Sequence, residues 1–337
     1  MNMQTRSMCP VCYQTVPAER RIVNGAVVLV KRCPTHGETT VVREPNARFY
    51  GWMADTVFDA DAVAARTQAT MINTTDRCNM ACPQCYHQPD KGPDPPISDV
   101  VDIARLATKR TICLLGAEST VRVDLPELVS AIREETGKRV ALYTNGVKLA
   151  SRRYLVALAD AGLTSTAVSL QFPEYVGREL YEAKLRAISN LRHSPVGLWH
   201  VAFSICKAED VGPALDAALS LDLPPETYIR MRVTGAIGTD LGTPMALSEL
   251  VHAFNYELVA RGLTGRVMKG SHPYVLIVKV GNRDFFLLRW PSVDEIDLDD
   301  LTHCPARGLL VPELGELPLV QSMLLFAHMR KGRSIAA

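Results

Sequence analysis

Short apolar runs alternate with longer amphipathic segments along most of the chain after about residue 70. The short runs read as strands, and the longer segments space their apolar residues as a helix does. Because parallel strands are joined by helical crossovers, this order predicts an α/β fold with six βα units, a partial (β/α)6 barrel. The first predicted strand ends near residue 75, and the others lie at 112–115, 140–144, 166–170, 198–205 and 228–233. The predicted helices lie at 100–107, 125–135, 151–161, 181–191, 211–221 and 247–261.

The pattern changes at both ends of the chain. Residues 21–31 read as a hairpin around Asn24-Gly25, the strongest two-residue turn signal, and 38–43 can add a third strand. Beyond the barrel, 273–280 and 284–290 read as a second hairpin, followed by an amphipathic closing segment at 309–329. We therefore predict three parts. Residues 1–65 form a metal-stapled β ribbon and linker, 66–270 form the barrel, and 271–337 form a C-terminal hairpin and capping segment.

Charge and composition exclude several kinds of partner. The 337 residues carry 37 Lys and Arg against 36 Asp and Glu, so no overall positive field draws the chain to nucleic acid or anionic lipid. Apolar runs are shorter than a membrane span, and the first residues lack the apolar core of a secretory signal. The sequence therefore predicts a cytoplasmic protein with a small-molecule partner, and it disfavours membrane and nucleic-acid partners.

Nine cysteines fall into two tight clusters and three scattered positions. The first cluster reads Cys9-Pro-Val-Cys12, a twenty-residue spacer, and Cys33-Pro-Thr-His36. Two chelating turns at this separation are typical of a zinc ribbon with a Cys3His tetrahedron. Iron in a rubredoxin-like site accepts similar thiolates, so the sequence predicts zinc, with iron as the alternative.

The second cluster is a C-x3-C-x2-C loop directly after the first barrel strand. Its thiols are Cys78, Cys82 and Cys85. Three thiolates on one loop can hold three irons of a [4Fe–4S] cluster and leave the fourth iron open to an outside ligand. An odd number of cysteines on one loop argues against a disulfide framework, and a zinc site would need a fourth ligand, for which His87 is the local candidate. The loop predicts an iron–sulfur cluster.

This loop, with its flanking residues TTDRCNMACPQCYH, resembles the signature of the radical S-adenosylmethionine (SAM) superfamily, and the resemblance extends over about 68–280. The resemblance implies that the open iron chelates the amino and carboxylate groups of SAM. An electron, delivered by a donor such as flavodoxin or ferredoxin, then cleaves SAM to methionine and a 5′-deoxyadenosyl radical. That radical takes a hydrogen atom from the substrate.

The resemblance also implies a set of SAM contacts at the carboxyl ends of the strands. Residues 116–119 stand where the family has Gly-Gly-Glu-Pro, which meets the SAM amino group, and residues 144–146 match a Thr-Asn-Gly that ends the third strand. Residues 235–238 resemble the family's Gly-x-Ile-x-Gly adenine contact. Gln84 stands where many members have an aromatic residue, and Tyr86 can substitute for it. The expected SAM-binding residues are Tyr86, Gly116, Ala117, Glu118, Ser119, Asn145, Ser169, Ser204, Gly235 and Ile237.

Strand alternation predicts which side chains face the barrel lumen. On the sixth strand Ile229, Met231 and Val233 should face the helices, and Arg230 and Arg232 the lumen. On the fifth strand the outward set is Trp199, Val201, Phe203 and Ile205, and the inward set is His200, Ala202, Ser204 and Cys206.

Two arginines in a lumen are costly unless an anion pairs with them, and SAM and a substrate carboxylate or phosphate can supply it. The alternative is an internal salt bridge to Glu174 or Asp240. His200 is either a catalytic group or a hydrogen-bonded core residue, and Cys206 either donates a hydrogen atom or is an inert thiol. The candidate catalytic residues are Arg230, Arg232, His200 and Cys206.

Several functions fit these features. The leading hypothesis is a radical SAM enzyme acting on an anionic sugar or nucleoside metabolite by decarboxylation, epimerisation, dehydration or carbon–carbon coupling, in natural-product biosynthesis for example. The ribbon ahead of the core resembles the group of tetraether lipid synthases and pterin methylases, which carry extra cluster cysteines that this chain lacks. Methylation or coupling of a lipid or pterin and RNA modification are therefore alternatives. A zinc-ribbon interaction protein without catalysis is the non-enzymatic one.

Overall fold

Two β-sheets organise the part of the chain that the computed structural model describes, which comprises residues 3–55, 69–83, 85, 92–234, 244–268, 275–289, 291–297, 309–311 and 315–317. The smaller sheet precedes the barrel and is antiparallel throughout. Its strands follow one another in chain order and are β1 (Met3–Met8), β2 (Thr15–Val23), β3 (Ala26–Cys33) and β4 (Gly37–Glu44).

The predicted ribbon hairpin is confirmed by the pairing of β2 with β3. Asn24 and Gly25 between them have φ of 50° and 79°, which is the left-handed backbone that a two-residue hairpin turn requires. The sequence pattern missed β1, whose residues are mostly polar but pair with β2 along their whole length.

The larger sheet contains the predicted barrel, and its six parallel strands confirm the predicted fold class. These strands are hydrogen-bonded in chain order, and each pair is parallel. They are β5 (Ala69–Asn73), β6 (Thr111–Leu115), β7 (Arg139–Thr144), β8 (Leu163–Leu170), β9 (Gly197–Ile205) and β10 (Tyr228–Val233). The α-helices in the described residues are α1 (Ala47–Asp55), α2 (Ile97–Leu106), α3 (Leu125–Thr136), α4 (Arg152–Asp160), α5 (Pro173–Val176), α6 (Arg178–Arg192), α7 (Val211–Ser220) and α8 (Leu247–Ala260).

Both edges of this sheet are extended by further strands. On the β10 side, β13 (Arg283–Leu288) pairs parallel with β10, and β12 (Val275–Val280) and β11 (Gly265–Val267) follow it. The predicted C-terminal hairpin therefore continues the barrel wall. On the β5 side, β14 (Leu309–Val311) pairs with β5, and β15 (Gly315–Leu317) pairs with β14. The rest of the predicted closing segment, 312–314 and 318–329, lies outside the described residues.

The main hydrophobic core lies between the helices and the outer face of the parallel sheet. It contains alternate strand residues such as Leu114, Leu142, Val168 and Met231, together with apolar residues of the helices. We call the opposite face of the sheet the inner face. Because strand side chains alternate, this face receives the other half of the strand residues.

One predicted orientation is wrong, because β9 contains a bulge. Thr166 and Ala167 of β8 pair with Leu198 and His200, so Trp199 is an extra residue between them. Its ring lies on the inner face, 5.4 Å from the Tyr143 ring, instead of facing the helices. Val201, Phe203 and Ile205 do lie in the outer core, as alternation predicts.

The ribbon packs against the segment that follows β13. Thr5 Oγ1 donates to Asp297 Oδ1 at 2.6 Å, Ser7 Oγ donates to the Ile296 carbonyl at 2.5 Å, and Lys31 Nζ donates to the Asp294 carbonyl at 2.6 Å. Nowhere in the described residues is there a helix with the length and apolar character needed to cross a membrane.

Candidate active site and metal centres

The ribbon brings its predicted ligands together. One ligand atom from each of Cys9, Cys12, Cys33 and His36 lies within 4.8 Å of the others. Cys12 Sγ is 3.8 Å from Cys33 Sγ, and His36 Nδ1 is 3.5 Å from both Cys9 Sγ and Cys33 Sγ. A tetrahedral zinc with Zn–S bonds of about 2.3 Å separates two sulfurs by about 3.7 Å, so these spacings fit one zinc ion.

Cys9 of the ribbon has surroundings that favour its thiolate form. Burial raises the pKa of Cys9, but backbone hydrogen bonds from Cys12 and Val11 outweigh it and lower the pKa to about 6. The Val11 N–H donates to Cys9 Sγ at 3.4 Å. A thiol with this pKa is largely ionised at neutral pH, and the thiolate is the form that binds metal.

The second cysteine loop follows β5 and carries Cys78, Cys82 and Cys85, which are free thiols of intermediate exposure. Among the described residues, only the ribbon places three or more potential ligands within reach of a single ion. The three loop thiols do not form such a group in this structure. A [4Fe–4S] cube, whose cysteine ligands attach to different corners, requires wider spacing.

This cluster loop is anchored to two neighbouring segments. Thr75 Oγ1 donates to Asp94 Oδ1 at 2.5 Å, and the Arg77 guanidinium pairs with the same carboxylate. Arg122, which is 1% exposed, donates to the Thr74 carbonyl at 2.8 Å and to the Pro95 carbonyl at 2.9 Å. The backbone leading into the cysteines is thus fixed by charged side chains on both sides.

The loop after β6 packs directly on the cluster loop. The N–H groups of Ala117 and Glu118 donate to the carbonyls of Thr75 and Arg77, each at 3.0 Å. A Cβ on Gly116 would lie 2.3 Å from the Thr75 carbonyl oxygen, closer than atoms can approach. Glycine is therefore required here by the contact between the two loops. The N–H groups of Ala117 and Glu118 are therefore already bonded to the cluster loop. The groups left to accept a hydrogen bond from a SAM amino group would be the carbonyls of this loop and the Glu118 carboxylate.

Glu118 is the centre of a hydrogen-bond network in the site. It is 2% exposed, and Oε1 accepts from Thr120 N–H at 3.1 Å, Thr120 Oγ1 at 2.6 Å and Thr144 Oγ1 at 2.7 Å. Oε2 accepts from the Asn145 N–H at 2.6 Å. The carboxylate therefore connects the loops after β6 and β7, as a buried, hydrogen-bonded charge should.

Asn145 connects that network to the cluster loop. Its Nδ2 donates to Asn79 Oδ1, between Cys78 and Cys82, at 2.8 Å. The structure thus brings Gly116, Ala117, Glu118 and Asn145 to the edge of the sheet that carries the three cysteines.

Other predicted SAM contacts have separate positions. The Ser119 hydroxyl is fully buried and accepts from Thr74 Oγ1 at 2.9 Å. Ser169 Oγ accepts from Gln171 Nε2 at 3.3 Å, and Ser204 lies on the inner face of β9. The predicted contacts Tyr86, Gly235 and Ile237 lie outside the described residues.

Lys184 and Arg122 are two buried cations that the sequence pattern did not single out. Lys184 lies on α6, and its Nζ donates to the carbonyls of Asn145 and Ser169 at 2.7 and 3.0 Å. A sequence signal was present, since Lys184 has the i, i+4, i+7 spacing with Ile188 and Leu191 that marks the buried face of a helix.

Three ring side chains lie side by side on the inner face of the sheet. Tyr143, His200 and Tyr228, which we call the aromatic row, are aligned across β7, β9 and β10, with Ala167 of β8 between them. The His200 ring lies 5.2 Å from Tyr143 and 4.9 Å from Tyr228, on which it stacks. His200 is fully buried, and burial together with Arg230 holds its pKa well below the usual value of 6.5. It is therefore neutral at physiological pH.

The predicted lumen arginines lie nearer the carboxyl ends of the strands. In register, Arg230 is opposite Ala202, and Arg232 is opposite Ser204. Arg230 Nη1 lies 3.5 Å from His200 Nε2; a guanidinium has no acceptor, so it donates and the histidine proton is on Nδ1.

Cys206 lies beyond the arginines, just past the carboxyl end of β9. Its Sγ is 3.0 Å from Thr234 Oγ1, and burial raises the pKa of this thiol. Cys206, one of the predicted catalytic residues, is therefore an uncharged thiol at the mouth of the lumen.

Comparison with known proteins agrees with this geometry. The model of a zinc ribbon domain, described as the HMPTM N-terminal zinc ribbon domain, matches residues 1–43, and that of the radical SAM superfamily matches residues 72–202. The chain contains a zinc ribbon and a radical SAM domain. Such a domain is an enzyme domain that uses a [4Fe–4S] cluster and SAM, and the Cys3His group of the ribbon supports a structural zinc.

Two similar proteins have names that point to different substrates. A 7,8-dihydro-6-hydroxymethylpterin dimethyltransferase of Methanocaldococcus jannaschii is 29% identical over 228 residues, 57% of this chain and 45% of that protein. A probable GTP 3′,8-cyclase of Methanopyrus kandleri is 32% identical over 171 residues, 49% of this chain and 48% of that protein. The chain thus covers less than half the length of either relative.

Solved structures are more distant. A crystal structure of Streptococcus suis SuiB is 13% identical, with 72% of this chain and 68% of that chain covered and a TM-score of 0.46.

The residues present fit the groups that a radical SAM domain uses. Burial raises the pKa of Cys82 to about 11 and also raises that of Cys78, so these thiols stay protonated until a metal replaces the protons. The three cysteines would supply the thiolates for the cluster. Glu118 and the carbonyls of the loop after β6 would be the acceptors for a cationic amino group.

Proposed function

We propose that Cys78, Cys82 and Cys85 hold the [4Fe–4S] cluster of a radical SAM enzyme whose substrate is an anionic small molecule bound beside Arg230. When bound and reduced, the cluster with SAM supplies a 5′-deoxyadenosyl radical that removes a hydrogen atom from the substrate. The residues that surround Arg230 support the proposal of an anionic substrate.

Arg230 is a largely buried cation without an acidic partner in the described residues. Within the described residues, the guanidinium of Arg230 makes its polar contact with the neutral ring of His200. Glu174, a predicted alternative partner, is exposed and forms no ion pair with it in the described residues, and Asp240 lies outside them. A guanidinium out of water needs an anion, and a carboxylate or phosphate matches its paired donors.

Small residues lie next to Arg230 on the inner face. Its register neighbour is Ala202, and the next residue across the sheet is Ser169, both with small side chains. The aromatic row lies one step deeper and provides an apolar floor. Arg232 lies one step nearer the mouth and provides a second cation.

This arrangement favours a flat ring that carries an anionic group. The ring would lie over the small residues and the aromatic row, and Arg230 and Arg232 would bind the anion. The relatives named for a pterin and for GTP act on nitrogen heterocycles. We therefore propose a nucleotide, or an acidic pterin from the predicted alternatives, as the substrate, and we expect a flavodoxin or ferredoxin to supply the electron.

The chain's own residues divide the work as follows. Glu118 and Asn145 fix the loops that receive SAM, and Arg122 and Asp94 fix the cluster loop. The arginines bind and orient the substrate anion. The aromatic row keeps water from the floor, which protects a carbon radical from side reactions.

The test is substrate-dependent hydrogen transfer in anaerobically reconstituted protein. With a chemical reductant and SAM, deuterated GTP or a deuterated acidic pterin should transfer deuterium into 5′-deoxyadenosine. Arg230→Met should weaken GTP binding by about 10- to 100-fold, the loss of a charged hydrogen bond, whereas Arg153→Met, an exposed arginine on α4, should not change it. Unchanged GTP affinity in the Arg230 variant contradicts the anionic substrate, and protein that never cleaves SAM contradicts the proposed function.

A further inference from the structure

Lys184 is a buried lysine beneath the carboxyl ends of β7 and β8. Its exposed fraction is 0%, and its ammonium group reaches two backbone carbonyls, those of Asn145 and Ser169, at 2.7 and 3.0 Å. No ion pair joins it to an acidic side chain in the part of the chain that the structure describes. Carbonyl dipoles compensate such a charge less well than a carboxylate does, so a buried lysine of this kind is expensive unless a further negative group lies nearby.

The two carbonyls belong to strand ends that border the proposed cofactor site. Asn145 donates through its side chain to Asn79 on the cluster loop at 2.8 Å, and through its backbone N–H to Glu118 at 2.6 Å. Lys184 is therefore one hydrogen bond from Asn145 and two from the cluster loop. If the ammonium group of Lys184 moved, Asn145 would move with it, and its hydrogen bonds to Asn79 and Glu118 would change.

The ionisable groups near Lys184 are those of the site itself, and the two cysteines among them become negative when they bind a metal. Burial lowers the pKa of Lys184 to about 8, and Cys82, Glu118 and Cys78 oppose this shift, in that order. Two of these three groups are proposed cluster ligands. The charge of Lys184 would therefore interact with a cluster bound by these cysteines.

We propose that Lys184 is a positioning residue whose charge favours the reduced state of the cluster and whose hydrogen bonds fix the ends of β7 and β8. This inference rests on the proposed cluster ligands Cys78, Cys82 and Cys85. Reduction adds one electron to a cluster already bound by three thiolates, so negative charge increases next to a buried cation. The cation stabilises the reduced state more than the oxidised state and raises the reduction potential.

The test is a spectroscopic redox titration of the reconstituted cluster in four proteins. Lys184→Met removes the charge and keeps the side-chain length, and Lys184→Arg keeps the charge. Lys148→Met removes an exposed lysine after β7 and is the matched control. Lys184→Met should lower the ratio of reduced to oxidised cluster at a fixed potential by about tenfold, equivalent to ~59 mV for one electron. Lys184→Arg and Lys148→Met should stay within about twofold of the wild type.

Cluster content and SAM binding complete the test. Because Asn145 loses its support, Lys184→Met should also bind SAM several-fold more weakly. If Lys184→Met does not fold, Lys184→Gln, which retains an uncharged donor, takes its place in the titration. A fully loaded neutral variant with the wild-type potential overturns the inference and leaves the proposed function intact. Wild-type protein that binds no cluster overturns both.

Discussion

The carboxylate of Glu118 accepts a hydrogen bond from the backbone N–H of Asn145 at 2.6 Å, and this contact joins the ends of two strands. The same glutamate accepts three more hydrogen bonds through its other oxygen. It therefore has a structural role in addition to the SAM contact that the resemblance implies. Different experiments measure the two roles.

Glu118→Gln should impair both roles. The amide must direct donor hydrogens at groups that are themselves donors, so the free energy of unfolding should fall by about 1–3 kcal/mol. SAM affinity should fall by about tenfold or more, because a cationic amino group loses its carboxylate. Chemical denaturation and calorimetric SAM titration measure the two effects. Glu127→Gln, an exposed glutamate on α3, is the control, and equal SAM affinity in both variants would exclude a contact between Glu118 and SAM.

Gly116→Ala should disrupt the contact between the loops after β5 and β6. The added methyl group would lie 2.3 Å from the Thr75 carbonyl oxygen and 2.8 Å from Asn73 Oδ1, so one loop must move. We expect reduced iron content after reconstitution and a loss of about 1–3 kcal/mol in stability. Gly51→Ala on α1 is the control, since no atom lies within 4 Å of its Cβ, and alanine there should stabilise the helix by about 0.5–1 kcal/mol. Normal iron content in Gly116→Ala would show that the close approach is unimportant.

The two metal centres should load independently. Cys33→Ser should lose zinc and retain iron, and Cys82→Ala should retain zinc and lose iron, so that each variant is the control for the other. Elemental analysis of the purified proteins measures both metals. Loss of zinc should also expose the ribbon strands to hydrogen exchange, because a small metal site contributes much of the folding free energy of its domain. Loss of both metals in either variant would mean that the sites fold as one unit.

His200 should make the protein less stable in mild acid. Its pKa is held well below 6.5 in the folded chain, so below this pH the unfolded chain binds a proton that the folded chain does not. Stability should then fall by up to about 1.4 kcal/mol per pH unit from this group as the pH drops from about 6.5 towards 5. Urea denaturation of wild type and His200→Phe measures the difference between their slopes. Exposed His193→Gln should behave as wild type, and identical slopes in all three proteins would refute the assignment.

The sequence predicted those features that depend on spacing along the chain. The ribbon ligands, the ribbon hairpin and the six βα units follow from short-range patterns, and the structure places them as expected. Lumen-facing positions on β10 were also predictable, because regular alternation holds along that strand.

Features that depend on contacts between elements were not predictable in the same way. The bulge at Trp199 shifts the register by one residue, and alternation within a single strand cannot reveal such a shift. Lys184 resembles the other charged residues of α6, and its burial becomes evident once the helix is packed under β7 and β8.

The central claim is that Cys78, Cys82 and Cys85 bind a [4Fe–4S] cluster with one iron open to SAM. Mössbauer and electron paramagnetic resonance spectra of anaerobically reconstituted protein, recorded with and without SAM, test it most directly. The account predicts about four irons per chain, a spectrum that changes when SAM is added, and loss of both in Cys82→Ala but not in Cys12→Ala. Thiols at these three positions that are paired with one another, or that bind a closed four-ligand zinc, would contradict it.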